Sequence, residues 1–514
     1  MSFERFSATP LRTGALSRRR WLNGLLLAIS VLLVAQFVVS QRLIFPFDAP
    51  DERVHFARAH DVAFAPGVVK TSSANGRVAV GAFFYDPQPI HDCYGKPNCL
   101  NNSAKSQLSL VRINQFFVSS FKAGYAGSDN SFPYSGGNYL HLIPSLLLSA
   151  QFHLSVLSAY LNARFSSGLV FLLVSALLIV SIRAQRGSGA NAFFVALLGL
   201  GFWLPSSVFL SNSVSGDFLV TAAAVLIGLS LLSSTWRLSS YLSSLILCAQ
   251  PLLYFIVLGK LPYAPLVLAA IILTWLRFKH ARRTWFLMLS FASFVVPFWW
   301  YVHSRSAVLT LFRSQRGAWV GGKMSSAQLF EWVQGSSFSL VSQFGDLYRQ
   351  LVAVFGNGPV ARIFLPEWFH TLHGILLIVV LILLFTVVIR AWPFLGSAGK
   401  RLLPLSLHIG IPILAVLATY FMICYGLRVY WTSAYPLDGL QGRYFLPLLP
   451  FTVVALQAAC YSRVENDRAR YCSEPRMYLD QKLLFLTSIL LLFSVFQLIF
   501  YLKNILHFYA VPMA

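Results

Sequence analysis

Apolar runs of about 20 residues recur along this chain, and no other feature limits its fold so strongly. A helix of that length spans the roughly 30 Å hydrocarbon core of a bilayer. In lipid every backbone polar group must be satisfied internally, so spans of this kind are helical. The chain of 514 residues is 57% hydrophobic and 11% charged, which excludes a soluble globular protein and predicts an all-α polytopic membrane protein. The first run, Trp21 to Ser40, follows Arg18-Arg19-Arg20 and resembles a signal peptide. It is long for such a peptide and has no clear small-residue cleavage site, so an uncleaved anchor is expected.

The expected spans are 21–40, 164–183, 191–211, 217–235, 239–258, 263–277, 285–303, 371–391, 403–425, 443–462 and 482–502. Segment 138–158 is apolar enough to cross but carries His141, Pro144, Gln151 and His153. If it does not cross, the basic clusters 183–186, 277–283, 390–401 and 463–476 all fall on the N-terminal side, as short cytoplasmic loops should. If it crosses, they face outward. The segment is therefore read as an interfacial or re-entrant helix. That gives one domain over 1–514 with about 11 transmembrane helices, a cytoplasmic N-terminus and two large outer loops, 41–137 and 304–370. The first outer loop holds an expected amphipathic helix from Ser106 to Lys122; aromatic residues from Trp332 to Trp368 suit the second to the membrane surface.

The net charge is +23. About half of the basic residues account for themselves as topology signals, which removes the case for nucleic acid. The rest fall in outer loops, where a phosphate-bearing lipid or plain attraction to anionic headgroups would use them. Of six cysteines, Cys248, Cys424 and Cys460 lie in apolar runs and are read as packing residues. Cys93 and Cys99 share the first outer loop, where an oxidising compartment would favour a disulfide over a zinc site, because a second ligand pair is missing.

This topology brings four polar motifs to one surface. They are Asp51-Glu52-x-x-His55 after the first span, Ser211-Asn212-Ser213-Val214-Ser215-Gly216-Asp217, Gly259-Lys260-Leu261-Pro262-Tyr263, and Leu440-Gln441-Gly442-Arg443-Tyr444. Ionisable groups at the mouth of an apolar bundle are costly and therefore suspect for function. Together these offer carboxylates, a histidine, a lysine, an arginine and two tyrosines, a set suited to deprotonating a hydroxyl while a phosphate departs. Each has a plainer reading. Asp51 can cap an interfacial helix and Asp217 the fourth span. Lys260 can snorkel to headgroups, and Arg443 can anchor at the interface. Glu52 and His55, one helical turn apart, can share a divalent cation, although two ligands are a weak set. No other metal or cofactor is expected.

The acidic loop after the first span, the long outer loop and the many-span bundle resemble GT-C glycosyltransferases. The stretches Pro50-Asp51-Glu52-x-x-His55-Phe56-x-Arg58-Ala59 and Gly439-Leu440-Gln441-Gly442-Arg443-Tyr444-Phe445-Leu446-Pro447 are similar to hallmarks of a bacterial membrane-protein family long labelled a domain of unknown function and grouped with that fold. Asn212 with Asp217, and Lys260 with Pro262 and Tyr263, sit where that family has its middle motifs. Arg53 stands where some relatives have proline.

The resemblance implies a GT-C-like bundle that takes a sugar from a polyprenyl-phosphate carrier and gives it to a cell-envelope glycan, lipid or protein at the periplasmic face of the bacterial inner membrane. It implies inverting transfer with Asp51 as general base and Glu52 as the second candidate, beside His55. Arg443 and Lys260 would hold the carrier phosphate, with Tyr263 and Tyr444 near it. Arg58, Asp217, Asn212, Tyr134, His141 and Gln441 would contact sugar or acceptor. Nucleotide motifs of the Walker or Rossmann type are absent, as such a donor allows. The rival readings are a surface-polysaccharide polymerase, which would work at the same face, and a lipid-linked-sugar transporter. Transporters keep their polar sites near the bilayer midplane, whereas these motifs lie at helix ends.

Overall fold

The computed structural model describes residues 9–43, 156–185, 189–233, 240–277, 286–295, 297–299, 402–430, 442–467 and 474–509, with a few isolated positions between them that include His55, Trp368 and the strand pairs 71–72 and 77–78. The expected interfacial segment 138–158, before Val156, the amphipathic helix 106–122, the pair Cys93 and Cys99, and almost all of 304–370 lie outside the described residues.

The described elements are nearly all helical: α1 (Thr9–Leu43), α2 (Val156–Ala184), α3 (Gly189–Phe202), α4 (Pro205–Ser211), α5 (Gly216–Ser233), α6 (Ser240–Leu258), α7 (Ala264–Arg277), α8 (Leu402–Tyr430), α9 (Leu449–Asp467) and α10 (Glu474–Tyr509). A two-residue antiparallel pair, Thr71–Ser72 with Arg77–Val78, is the exception. Among the described residues three helices are long and apolar enough to cross a membrane: Arg20–Gln41, Leu161–Ala184 and Leu483–Leu506. The bent pair α3–α4 makes a fourth if counted as one span. Shorter apolar helices cover several of the other expected spans.

The α1 helix shows how a spanning helix differs from a soluble one. Leu22, Leu26, Ile29, Leu33 and Phe37 form its buried stripe, while Leu27, Val31, Val34 and Val38 form an exposed stripe that is equally apolar. Spacings of three and four residues place each set on one face. A surface this greasy is stable only against lipid. Cys248, read above as a packing residue, is exposed on the outside of α6.

At the centre stands α5, which is apolar around its circumference and buried along nearly its whole length, as an internal helix should be. It packs against α2, α3, α6 and α9. Gly228 of α5 lies against Pro450 of α9, close enough that an added Cβ would come within 2.6 Å of the proline ring. Small residues allow this kind of close approach between membrane helices.

The expected span 191–211 is broken. The axis bends by 63° between α3 and α4, at Trp203-Leu204-Pro205. Pro205 has no N–H to continue the ladder. The indole N–H of Trp203 donates to Ser175 at 3.0 Å, and the Gln497 amide donates to the Trp203 carbonyl left at the break. The expected span 443–462 also starts differently, because Gly442–Leu448 is a 3-10 turn containing Pro447, ahead of α9.

Helix ends fix the relative directions. Gln41, at the end of α1, donates to the Arg164 carbonyl near the start of α2, so α1 finishes and α2 begins on the same side. Ser40 and Tyr501 share a hydrogen bond at 3.3 Å, so α1 and α10 run parallel. The first and last described helices thus point the same way, and the start of α1 and the end of α10 lie on opposite sides of the bundle.

Candidate active site

The end of the bundle where α1 finishes is built from three turns. Residues 212–215 join α4 to α5. Residues 259–263 join α6 to α7. The 3-10 turn Gly442–Leu448 leads into α9. All three pack against the head of α5 or its neighbours.

Asp217 is the second residue of α5. A carboxylate in a first helical turn is favoured by the helix dipole, which is the cap-like reading of its sequence. Its side chain does more than that. It is buried, and its two oxygens face two cations: one forms an ion pair with the Lys260 ammonium, and the other lies 3.3 Å from Nε of Arg443. Arg443 is itself buried at 5% exposure and Lys260 is about three-quarters covered. Lys260 therefore pairs inward instead of snorkelling to headgroups. Both cations also lie over the ring of Tyr444, at 5.9 Å for Lys260 and 5.4 Å for Arg443, where the negative face of the ring attracts them.

Tyr263 braces this arrangement. Its hydroxyl donates to the Tyr444 backbone carbonyl at 3.0 Å, joining the 259–263 turn to the 442–448 turn. Tyr420 of α8 stacks on the neighbouring Phe445, with centroids 6.0 Å apart.

His55 comes to the same place from the segment that follows α1. It is 4% exposed. Burial first, and then the positive charges of Lys260 and Arg443, hold its imidazole well below the ordinary histidine range. It is neutral at neutral pH. Among the described residues, the ion-paired trio of Asp217, Lys260 and Arg443 thus gathers one carboxylate and two cations beside a neutral imidazole.

Asn212 sits at the other end of the same turn, and its amide is engaged by protein. The nitrogen donates to the Val208 carbonyl at 2.7 Å and to Gln36 of α1 at 3.4 Å. The oxygen accepts from Gln41 of α1 at 3.2 Å. It ties the head of α5 to the end of α1, from which the acidic loop departs. Sequence reasoning missed Gln36, Gln41 and the fully buried Arg164 of α2, which surround this tie. The signal was present as polar residues inside or at the edge of apolar runs, where an uncompensated polar group is costly.

Of the residues singled out in the sequence, Asn212, Lys260, Tyr263, Arg443 and Tyr444 fall within these three turns, Asp217 in the first turn of α5, and His55 beside them. Asp51, Glu52, Arg58, Tyr134, His141 and Gln441 lie outside the described residues. Among the described residues no group of three or more His, Cys, Asp or Glu side chains is placed to hold a metal ion. The alternative cation pair, Glu52 with His55, has one member outside them.

A family model described as "Predicted membrane protein (DUF2142)" matches residues 31–452, most of the chain and the whole of the cluster above. No curated protein matches the sequence. Among solved structures, the crystal structure of ArnT from Cupriavidus metallidurans bound to undecaprenyl phosphate is similar. It shares 12% identity at a TM-score of 0.40, covering 94% of this chain and 77% of that one.

Proposed function

This chain belongs to the DUF2142 family of membrane proteins, and from that premise we propose that it is a membrane glycosyltransferase drawing its sugar from a polyprenyl-phosphate carrier. The observation that carries the reading is the pair of cations, a largely covered Lys260 and a buried Arg443, side by side at one end of an apolar bundle. A pair so placed meets a phosphate at the depth of a lipid headgroup, with the isoprenoid tail free to lie against the apolar outer faces of the helices.

In this mechanism the donor phosphate sits against Lys260 and Arg443. Asp51 takes the proton from an acceptor hydroxyl as its oxygen attacks the anomeric carbon. The bond from that carbon to the phosphate oxygen breaks on the opposite face, and configuration inverts. The polyprenyl phosphate leaves with the bonding electrons, and the cations stabilise the charge that develops on it. Stabilisation of developing charge in a water-poor site is commonly the largest single contribution to a rate, and a positioned base adds about 10²–10⁴-fold. Arg443 brings a planar fork matched to phosphate oxygens, and Lys260 brings a compact point charge. Neutral His55 is proposed to orient the acceptor. Glu52, Arg58, Tyr134, His141 and Gln441 are proposed to line the sugar and acceptor side. The active face is proposed to be periplasmic.

The test is transfer from a polyprenyl-phosphate sugar in proteoliposomes. Asp51→Asn and Arg443→Ala should each lower turnover by at least about 10²-fold while insertion and folding persist. Wild-type turnover in Asp51→Asn would dismiss the general-base role. Wild-type turnover in Arg443→Ala would dismiss the phosphate site.

A further inference from the structure

Asp217 was expected to touch sugar or acceptor, yet its carboxylate is already committed to protein. One oxygen is paired with Lys260 and the other faces Arg443. The two cations come from turns far apart in sequence and share one aromatic ring. Two like charges in a buried place repel strongly, because the surroundings screen them poorly. An acid between them offsets that repulsion and fixes their separation. The acid is itself fixed, because it belongs to the first turn of α5, a helix buried along nearly its whole length. Asn212, five residues earlier, pins the same turn to α1 through Gln36 and Gln41.

We infer that Asp217 is a positioning residue, the resident counter-ion that holds Lys260 and Arg443 in the spacing one lipid phosphate requires. The inference rests on the proposed phosphate role of that pair. It has a counterintuitive consequence. Removing a negative charge from an anion site ordinarily tightens anion binding. Here removal loosens it, because the cations lose their common anchor and separate.

The experiment is titration of a polyprenyl monophosphate into the full chain in nanodiscs, with unfolding temperature measured alongside. Lys260→Ala and Arg443→Ala should each weaken binding by about tenfold or more, the scale of one charge-assisted hydrogen bond. Asp217→Asn should weaken it by a similar factor. Asp217→Glu, which keeps the charge, should recover most of the loss. In a Lys260→Ala background Asp217→Asn should add little, because the two substitutions disable one unit. That double variant loses one charge of each sign, so it keeps the test open if Asp217→Asn alone does not fold. Unchanged or tighter binding by Asp217→Asn, with binding lost in Lys260→Ala and Arg443→Ala, overturns this inference alone. Full additivity in the double variant does the same. Unchanged binding in Lys260→Ala and Arg443→Ala removes the phosphate reading and this inference with it.

Discussion

At the scale of single residues, the chemistry of this end of the bundle is one of charges paired inside an apolar frame. Asp217 pairs with Lys260 and Arg443, and His55 stays neutral because burial and those cations disfavour its protonated form. The sign of the resulting pH effect follows. The histidine pKa is lower folded than unfolded, so the unfolded chain binds more protons once pH falls below the ordinary histidine value of about 6.5. The contribution to stability is complete above that value and is lost as the medium is acidified toward the folded pKa. Thermal unfolding of the wild type should therefore shift downward between about pH 7 and pH 5. His55→Gln should flatten that part of the profile. An equal slope in the variant would assign the effect to other groups. In the sequence His55 was legible as a candidate, because a histidine beside two acids next to a span is conspicuous. The pairing of Asp217 with two cations was not. Nothing local tells Asp217 that residues 260 and 443 will arrive beside it, since that depends on how helix ends are stacked. The buried Gln36 and Arg164 were hidden for a different reason: one polar residue in an apolar run hardly alters its hydropathy.

At the scale of elements, the packing around α5 sets the geometry of the site. Gly228 allows α9 to approach α5 so closely that a methyl group would collide with Pro450. α9 continues directly from the turn that carries Arg443. Gly228→Ala should therefore cost about 1–3 kcal/mol, the usual penalty for overpacking a filled interior, and should weaken lipid-phosphate binding as the 442–448 turn shifts. Unfolding in detergent read together with a binding titration checks both. A stable variant with normal binding would show that the close approach is incidental. Helix positions were readable from hydropathy, because a membrane span declares itself by length and composition. Breaks within them were less so. Pro205 marked the α3–α4 bend, but a proline in a membrane helix can also be absorbed, and the partners that satisfy this break, Ser175 and Gln497, come from α2 and α10. The 3-10 turn before α9 was likewise merged with a span, since its residues are as apolar as the helix that follows.

At the scale of the whole molecule, the chain uses the bilayer to sort its chemistry. Apolar stripes on both faces of its helices leave few places for charge, and the described charges of the site collect at one end. The parallel run of α1 and α10 places the start of one and the end of the other on opposite sides of the bundle. The general character, a polytopic helical membrane protein, followed from hydropathy alone. That distant polar motifs share one side followed from counting basic residues, a long-range inference that local propensity could not supply. The central claim is that Lys260 and Arg443 receive the phosphate of a polyprenyl carrier. An experimental structure of the chain with a non-hydrolysable polyprenyl-phosphate-sugar analogue tests it most directly. The account predicts phosphate oxygens within about 3 Å of both cations, the distance of a charge-assisted hydrogen bond, with the Asp51 carboxylate on the opposite face of the sugar. A phosphate seated in another cleft or at the other leaflet, away from Lys260 and Arg443, would contradict it.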